Sequence, residues 1–278
     1  VQHLLENYNQ HYRNEAVTEI ALAEYHQQHE KYDNAIVHWQ NVIAKLNSHT
    51  PQPYYDRLKD AYKQGNGFPL GKAAQETLSG DIDKHELLTT IHKTLSPDFY
   101  FEIGVQTGKS LSIAKCEAMG VDPMPLLSKS LNANAKVITA SSDVFFSHHC
   151  DLLLGKSIDL SFIDGMHLFE YVLRDFINVE RYSRPHTLIV VDDIFPGHPD
   201  QANRKRCTKA WTGDVWKLKT VLEQYRPDLV TLAINAYPTG LLFIANLDPD
   251  NTELISNYEH IVEEYAKDIN PPETVIQR

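Results

Sequence analysis

The chain has 278 residues, enough to bury one large domain together with a smaller appendage. Its 37 acidic and 26 basic residues give a formal net charge of −11, which argues against a nucleic-acid binder, because such a protein needs basic residues to neutralise phosphates. No apolar run is long enough to span a membrane, and no secretory leader is visible. Three widely spaced cysteines without a CxxC pair indicate reduced thiols. We therefore expect a cytoplasmic protein that binds neither nucleic acid nor membrane.

Residues 1–78 are predicted to form a helical region. Tyr32, Ala35 and Trp39, with apolar residues at helical spacing around them, resemble one tetratricopeptide-type repeat, and Tyr54–Gln64 is interpreted as a fragment of a second. The alternative is a plain helical hairpin that caps the next domain, since a peptide-binding array needs about three stacked repeats. These helices are the candidate surface for a homo-oligomer or for contact with another protein.

The second predicted domain, residues 79–278, begins with a helix whose N-cap is Asp81 or Asp83. From residue 98 onward, strands alternate with helices, which predicts an α/β, Rossmann-like fold with a mostly parallel sheet covered on both faces. The seven strands are expected at Phe99–Ile103, Ala118–Val121, Lys136–Ala140, Ile158–Ile163, Leu188–Val191, Leu229–Ile234 and Leu241–Ala245. The last two would form an antiparallel hairpin that ends the sheet. Helices are expected to start at Lys109–Ala114 and to cover Leu168–Tyr182 and Val215–Tyr225.

The first strand leads into a turn that contains two glycines. Gly104 and Gly108 permit a tight turn and close approach of a ligand, and the helix expected after them offers free N–H groups to a carboxylate. A pyrophosphate site would need GxGxxG, but Gln106 and Lys109 occupy the other glycine positions. The turn therefore favours a nucleotide-type ligand other than a dinucleotide.

Polar side chains also follow the second and third strands. Asp122 can accept both hydroxyls of a ribose, and the alternative is a turn-forming Asp before Pro123. Ser142 and Asp143 are suited to hydrogen-bonding an adenine edge, although the segment is equally typical of a helix N-cap.

Three carboxylates, of Asp164, Asp192 and Asp193, follow the next two strands. Two such groups at about 4 Å repel by about 4 kcal/mol at an effective dielectric of 20. A divalent cation would offset that repulsion, and all-oxygen ligation favours Mg²⁺, Mn²⁺ or Ca²⁺. The alternative is that one of Asp192 and Asp193 only caps the next turn.

These strand-end residues, in this order, resemble a class I S-adenosylmethionine-dependent methyltransferase. The similarity covers Phe99 to Leu247 and points to the branch of macrocin-type sugar O-methyltransferases and, more distantly, catechol O-methyltransferase. It is carried by the stretches Phe162–His167, Leu188–Phe195, Thr212–Lys217 and Pro238–Phe243. The resemblance implies the seven-stranded methyltransferase fold, S-adenosylmethionine as cofactor and Mg²⁺ or another divalent cation.

The resemblance also implies residue roles. The cofactor would contact Glu102, Gly104, Gly108, Ser110, Asp122, Ser142, Asp143 and Asp164, and the metal would be held by Asp164, Asp192 and Asp193. His167 falls where the catechol enzyme has a catalytic lysine, so it is the candidate general base beside Asp164; alternatively it orients a metal ligand or contacts cofactor. His198 is a second candidate base. The loop Pro196–Trp211 is interpreted as a lid, with Arg204 and Arg206 as contacts to an anionic group.

The sequence therefore predicts a metal-dependent O-methyltransferase that acts on a hydroxyl of a small polyhydroxylated molecule, such as a sugar or a natural-product glycoside. One alternative is an NAD-binding oxidoreductase, which the missing glycines disfavour. Another is a scaffold whose N-terminal helices bind a protein and whose second domain is degenerate. The presence of Asp122, Asp164, Asp192 and Asp193 argues against the scaffold.

Overall fold

The computed structural model describes residues 16–46, 50–69, 72–267 and 269–276. The chain divides into two compact units, Val1–Gly71 and Lys72–Arg278. The observed boundary lies between residues 71 and 72, whereas the sequence places it between 78 and 79. Residues 72–79 belong with the second unit because they hydrogen-bond to it: Gln201 Nε2 donates to the Thr77 carbonyl at 2.8 Å, and Glu76 accepts from the backbone N–H of Ala210 at 2.9 Å.

The first unit contains helix α1 (residues 16–28), α2 (Tyr32–Leu46) and α3 (Gln52–Gln64). The apolar residues of α2 that recur at helical spacing are all buried: Ala35, Ile36, Trp39, Val42 and Ile43. The indole N–H of Trp39 donates to Gln27 Oε1 at 2.9 Å, which links α2 to α1. The predicted helices are thus confirmed, while the assignment to a tetratricopeptide repeat stays a prediction.

The second unit is built on a seven-stranded sheet with strand order β4-β3-β2-β5-β6-β9-β7. Its strands are β2 (Phe99–Ile103), β3 (Glu117–Val121), β4 (Ala135–Ile138), β5 (Ile158–Ile163), β6 (Ser183–Asp192), β7 (Val230–Ile234) and β9 (Leu241–Ala245). The first five strands in this order, β4, β3, β2, β5 and β6, are parallel to one another. Strand β9 pairs antiparallel with both β6 and β7. A short parallel pair, β1 (Ile82–Asp83) and β8 (Ala236–Tyr237), lies outside this sheet. The predicted Rossmann-like sheet with its closing hairpin is confirmed.

Helices cover the sheet, and alternate residues of its strands point to two different cores. The helices are α4 (Lys84–Leu95), α5 (Ser142–His148), α6 (Phe169–Glu180), α7 (Lys217–Tyr225), α8 (Glu253–Ser256), α9 (Tyr258–Tyr265) and α10 (Glu273–Ile276). Phe101 on β2 packs in the core that contains α6 and α7, whereas its neighbour Tyr100 packs in the core that contains α4. None of the described helices is both long and apolar enough to cross a membrane.

Two local predictions are wrong. The helix expected from Lys109 is a single 3₁₀ turn, Leu111–Ile113. Only residues 104–116 separate β2 from β3, close to the shortest connection that parallel strands allow, so no full helix fits there. Strand β6 begins at Ser183 rather than Leu188, because a register shift between Ile158 and Leu160 admits extra residues opposite β5.

Of the two predicted N-caps of α4, Asp81 and Asp83, the structure shows Asp83, whose carboxylate accepts the backbone N–H groups of His85 at 2.8 Å and Glu86 at 3.2 Å. This cap makes Lys84 the first residue of the helix. Residues 82 and 83 are also paired with β8, so the start of α4 is held on two sides.

Candidate active site

The residues predicted to bind ligand converge because β3, β2, β5 and β6 are parallel neighbours in the sheet. Their carboxyl ends therefore share one edge, where open α/β sheets bind ligands. Asp122 follows β3, Gly104 follows β2 and Asp164 follows β5, while Asp192 ends β6.

The turn after β2 begins at Gly104, and only glycine fits at this position. Gly104 has φ of +87°, and a Cβ there would lie 1.7 Å from the carbonyl oxygen of Asp164. Gly108 has φ of +76°. The turn between them also contains Gln106 with φ of +43°, an uncommon value for a side-chain-bearing residue. The two glycines thus bring bare backbone to the sheet edge beside Asp164.

Glu102 is fully buried beneath this turn. Tyr100 Oη donates to its Oε2 at 2.6 Å, and Ser110 Oγ donates to its Oε1 at 2.7 Å. Burial raises the pKa of Glu102 to about 8, although both hydrogen bonds act in the opposite direction. Glu102 therefore fixes Ser110 at the turn that follows the strand.

Asp122 binds the backbone with both carboxylate oxygens. Its Oδ2 accepts from Gln106 N at 2.7 Å, and its Oδ1 accepts from Met124 N at 2.6 Å. The bond to Met124 is the turn-forming contact considered as the alternative role. Since each carboxylate oxygen has a further lone pair, these contacts leave room for the predicted ribose contact, which stays a prediction.

Asp143 forms a two-pronged ion pair with Arg174 of α6. Arg174 Nε lies 2.8 Å from Asp143 Oδ1 and its Nη2 lies 2.9 Å from Oδ2. The preceding Ser141 caps α5 by accepting from Val144 N at 3.3 Å, so the helix-cap interpretation of this segment is confirmed. An adenine contact through the Asp143 carboxylate stays a prediction.

Asp175 is an acid that the sequence reasoning missed. It lies on the buried face of α6 and lines the same cavity as Asp164, Gly165 and His167. Burial raises the pKa of Asp175 to about 7, against a hydrogen bond from Ser142 that lowers it. The sequence does contain an indication of this acid, because Asp175 follows Val172 by three residues and so falls on the apolar face predicted for the helix.

The acidic centre at the ends of β5 and β6 contains a lysine that the sequence reasoning also missed. Lys84 Nζ lies 3.2 Å from Asp164 Oδ2 and donates a short hydrogen bond to Asp192 Oδ2. Burial would lower the pKa of Lys84, but the two carboxylates outweigh it and hold the pKa well above its usual range. Burial and the neighbouring carboxylates raise the pKa of Asp192, whereas Lys84 lowers it.

His167 is held between the two other carboxylates of the centre. Its Nδ1 donates to the Trp211 carbonyl at 2.7 Å and lies 3.0 Å from Asp193 Oδ2, and its Nε2 lies 3.2 Å from Asp164 Oδ1. Burial opposes protonation, but Asp193 and Asp164 raise the pKa of His167 to about 9. The same ring and Lys84 together outweigh burial and hold the pKa of Asp164 well below its usual range. At neutral pH the ring is thus an imidazolium clamped by two carboxylates.

The backbone is strained at this point. His167 has φ of +60° and Asp193 has φ of +65°, and the carbonyl of His167 lies where a Cβ on Gly213 would clash. Side-chain-bearing residues in this region cost about 1–3 kcal/mol each and persist only where surrounding structure fixes them. Two residues of the acidic centre, His167 and Asp193, are thus among the strained residues at the sheet edge.

The predicted metal triad does not fit a divalent ion in the arrangement observed. Of its three members, Asp164 and Asp192 share the ammonium of Lys84. A different group, Asp164, His167 and Asp193, offers ligand atoms within 4.8 Å of one another. In that group Nδ1 of His167 already donates to the Trp211 carbonyl, so only Nε2 of the ring could turn to an ion.

His198 and the following loop have structural contacts of their own. His198 Nδ1 accepts from Asp200 N at 3.1 Å and caps the short turn Pro199–Ala202. Arg204 is paired with Glu170 and Asp214, both at 2.7 Å, so it is not the open anion contact that was predicted. Arg206 donates instead to the backbone carbonyls of residues 208 and 209.

Residues 101–194 match a protein family described as "Methyltransferase domain". The chain therefore contains a methyltransferase domain and is an enzyme of methyl transfer. This domain spans β2 to the end of β6, the part of the fold that carries Gly104, Asp122, Asp164 and Asp192. None of the curated proteins matches the sequence.

Several solved structures resemble the chain. An O-methyltransferase from Bacillus cereus in complex with SAH has 13% identity and a TM-score of 0.45, over 69% of this chain and 89% of that chain. The O-methyltransferase TomG from Streptomyces achromogenes in complex with SAM has 14% identity and a TM-score of 0.45, over 59% and 80%. A putative caffeoyl-CoA O-methyltransferase from Staphylococcus aureus has 13% identity and a TM-score of 0.45, over 83% and 99%. At these values the likeness assigns no residue a role.

Proposed function

We propose that the protein is an S-adenosylmethionine-dependent O-methyltransferase whose acceptor is a hydroxyl of a small polyhydroxylated molecule, such as a sugar or a natural-product glycoside. The observation that carries this proposal is the contact of the Gly104 turn with Asp164. It joins the bare backbone that a nucleoside ligand needs to the carboxylates and imidazole that can handle a hydroxyl proton.

The residues around the turn fit S-adenosylmethionine. Gly104 and Gly108 both have positive φ and shape a turn whose backbone carries no side chain at these two positions, and Asp122 follows the strand that neighbours the turn. Ser110, fixed by Glu102, and the Ser142–Asp143 pair complete the proposed contacts. When bound, S-adenosylmethionine supplies an electrophilic methyl group on a sulfonium. Its positive charge suits an edge where three carboxylates face two cationic side chains.

His167 is the proposed general base, and Asp164 and Asp193 position it. The proton on Nε2 points toward Asp164, so the ring must lose that proton before Nε2 can take one from an acceptor hydroxyl. Trp211 stacks on the ring with centroids 5.4 Å apart and fixes Nδ1 through its carbonyl. Because His198 Nδ1 already accepts a backbone N–H, His167 has the stronger support of the two candidate bases.

The predicted divalent cation is not part of this proposal. The ammonium of Lys84 contacts both Asp164 and Asp192, so no step of the proposed transfer is assigned to a metal ion. We also propose that the helices of the first unit are tetratricopeptide-like and form a surface for contact with another protein or with a second copy of the chain. It also keeps a cytoplasmic location, which agrees with Cys116, Cys150 and Cys207 all being free thiols.

Calorimetry with the full chain tests the cofactor part of the proposal. We expect binding of S-adenosylmethionine and S-adenosylhomocysteine, and a loss of affinity in Asp122→Asn but not in Asp151→Asn, an exposed acid far along the chain from the turn. Binding of NAD without binding of S-adenosylmethionine would reject the proposal in favour of an oxidoreductase. Transfer of a labelled methyl group to a panel of sugars and glycosides then tests the acceptor class.

A further inference from the structure

Lys84 occupies the position at which the sequence predicts a divalent cation. Its Nζ lies between Asp164 at the end of β5 and Asp192 at the end of β6, within hydrogen-bond distance of both carboxylates. The lysine side chain is 17% exposed and that of Asp192 is 1% exposed, so water screens the pair poorly. The ammonium also lies 5.8 Å from the ring centroid of Phe162 on β5.

The backbone holds Lys84 in this position. The residue before it caps α4, and residues 82 and 83 pair with β8, so the first turn of the helix cannot slide along the sheet. Asp81 N also donates to the Asn235 carbonyl at 2.8 Å. The three residues before the lysine are therefore bound to residues 235–237, and the helix that follows is capped by Asp83.

A lysine is an unfavourable residue at the start of a helix, where Lys84 lies. A cation in the first turn of a helix faces the positive end of the helix dipole, which is unfavourable by about 0.3–1 kcal/mol. Burial of an ammonium adds a desolvation cost. Contacts with two carboxylates offset both costs, which indicates that the lysine belongs to the acidic centre rather than to the helix surface.

We propose that Lys84 is the resident cation of this centre, holding Asp164 and Asp192 in place of a divalent metal ion. Lys84 is thus a positioning residue: it acts on bound molecules through the two carboxylates. A role of Lys84 in methyl transfer rests on the function proposed above. The proposal that Lys84 excludes a divalent ion does not depend on that function.

Lys84 places one positive charge between two of the three carboxylates at this centre, since its Nζ contacts both Asp164 and Asp192, while Asp193 lies beside them. Without the lysine the centre becomes more negative by one unit charge, which favours a divalent ion. Removal of the lysine should therefore create the metal site that the wild-type protein lacks.

Mn²⁺ binding, measured by electron paramagnetic resonance on the full chain, tests the proposal. We expect no specific Mn²⁺ binding by the wild type, by Lys84→Arg or by the control Lys93→Gln, an exposed lysine of the same helix. We expect Lys84→Gln to bind Mn²⁺ about 100-fold more tightly or better, because a unit positive charge about 4 Å from the ion no longer repels it. Added Mn²⁺ should also raise the melting temperature of Lys84→Gln alone.

Tight Mn²⁺ binding by the wild type that Asp192→Asn abolishes would overturn the proposal, because the lysine would then move aside for the ion. This measurement needs no lysine variant, so it tests the proposal even if Lys84→Gln does not fold. Failure of Lys84→Gln, once folded, to gain Mn²⁺ affinity would also count against it. Calorimetry with S-adenosylmethionine on the same wild-type sample separates a failure of the proposed cofactor from a failure of the lysine assignment.

Discussion

Gly104 and Asp164 are in backbone contact: a Cβ on the glycine would lie 1.7 Å from the carbonyl oxygen of the aspartate. The two residues end neighbouring parallel strands, β2 and β5, and the N–H of Asp164 donates to the Ile103 carbonyl at 2.8 Å. The turn proposed to hold the cofactor and the carboxylate proposed to orient the base are therefore joined directly through the backbone.

Gly104→Ala should destabilise the protein and abolish S-adenosylmethionine binding. The positive φ alone costs about 1–3 kcal/mol, and the clash with Asp164 must push the two strand ends apart. The matched control is Gly155→Ala, since Gly155 has φ of +74° but nothing within 4 Å of the added Cβ. Urea unfolding and calorimetry on both variants give the comparison. Equal losses of stability would mean that the contact with Asp164 is unimportant.

The His167 ring should titrate near pH 9. Because its pKa is raised on folding from 6.5 to about 9, the stability it contributes is fully present below pH 6.5 and is lost as the pH rises through 9. The difference in unfolding free energy between wild type and His167→Gln should therefore shrink between pH 6 and pH 9.5. A base must be neutral, so the rate of methyl transfer should rise over the upper part of the same range.

NMR titration of the His167 ring proton measures this pKa without any acceptor. Asp193→Asn removes the largest attraction and should lower the midpoint, while His148→Gln serves as the control that leaves it unchanged. A midpoint near the ordinary value of 6.5 in the wild type would show that the two carboxylates do not clamp the ring.

The strand ends of the site were predictable because they depend on local pattern. Short segments of mainly apolar residues followed by Gly or Asp identify β2 and β5 together with Gly104 and Asp164. Parallel pairing then places such strand ends at one edge of the sheet. The helical pattern likewise narrowed the cap of α4 to Asp81 or Asp83, and the structure shows Asp83.

The charge partners were not predictable in the same way. Lys84 is 80 residues from Asp164 and 108 from Asp192 along the chain, and no local spacing relates them. The sequence therefore suggested a metal ion for carboxylates that already have a cation. For the same reason the sequence did not identify Arg174 as the partner of Asp143, and Arg204 was predicted to contact an anionic ligand. Each arginine pairs with an acid that is distant in sequence and close only in the fold.

Glu102→Gln should make stability less dependent on pH. The pKa of the buried carboxyl is raised on folding from 4.5 to about 8, so the folded state holds the proton more tightly. The wild type therefore loses stability as the pH rises from about 4.5 to 8, and the neutral glutamine does not. Urea unfolding at pH 5 and pH 8.5 measures the effect, with the exposed Glu263→Gln as control. A parallel decline in wild type and Glu102→Gln would place the titrating group elsewhere.

Arg204→Ala should affect stability before it affects substrate binding. The guanidinium joins Glu170 on α6 to Asp214, and Asp214 is 1% exposed and also pairs with the buried Lys217. Removing one member of such a buried network costs about 3–5 kcal/mol, because a carboxylate is left without its full set of partners. Arg206→Ala, which removes donors to backbone carbonyls on a more exposed side of the loop, should cost clearly less. Chemical denaturation of the two variants ranks them. An Arg204→Ala protein with wild-type stability but weakened acceptor binding would restore the anion-contact role that the ion pairs argue against.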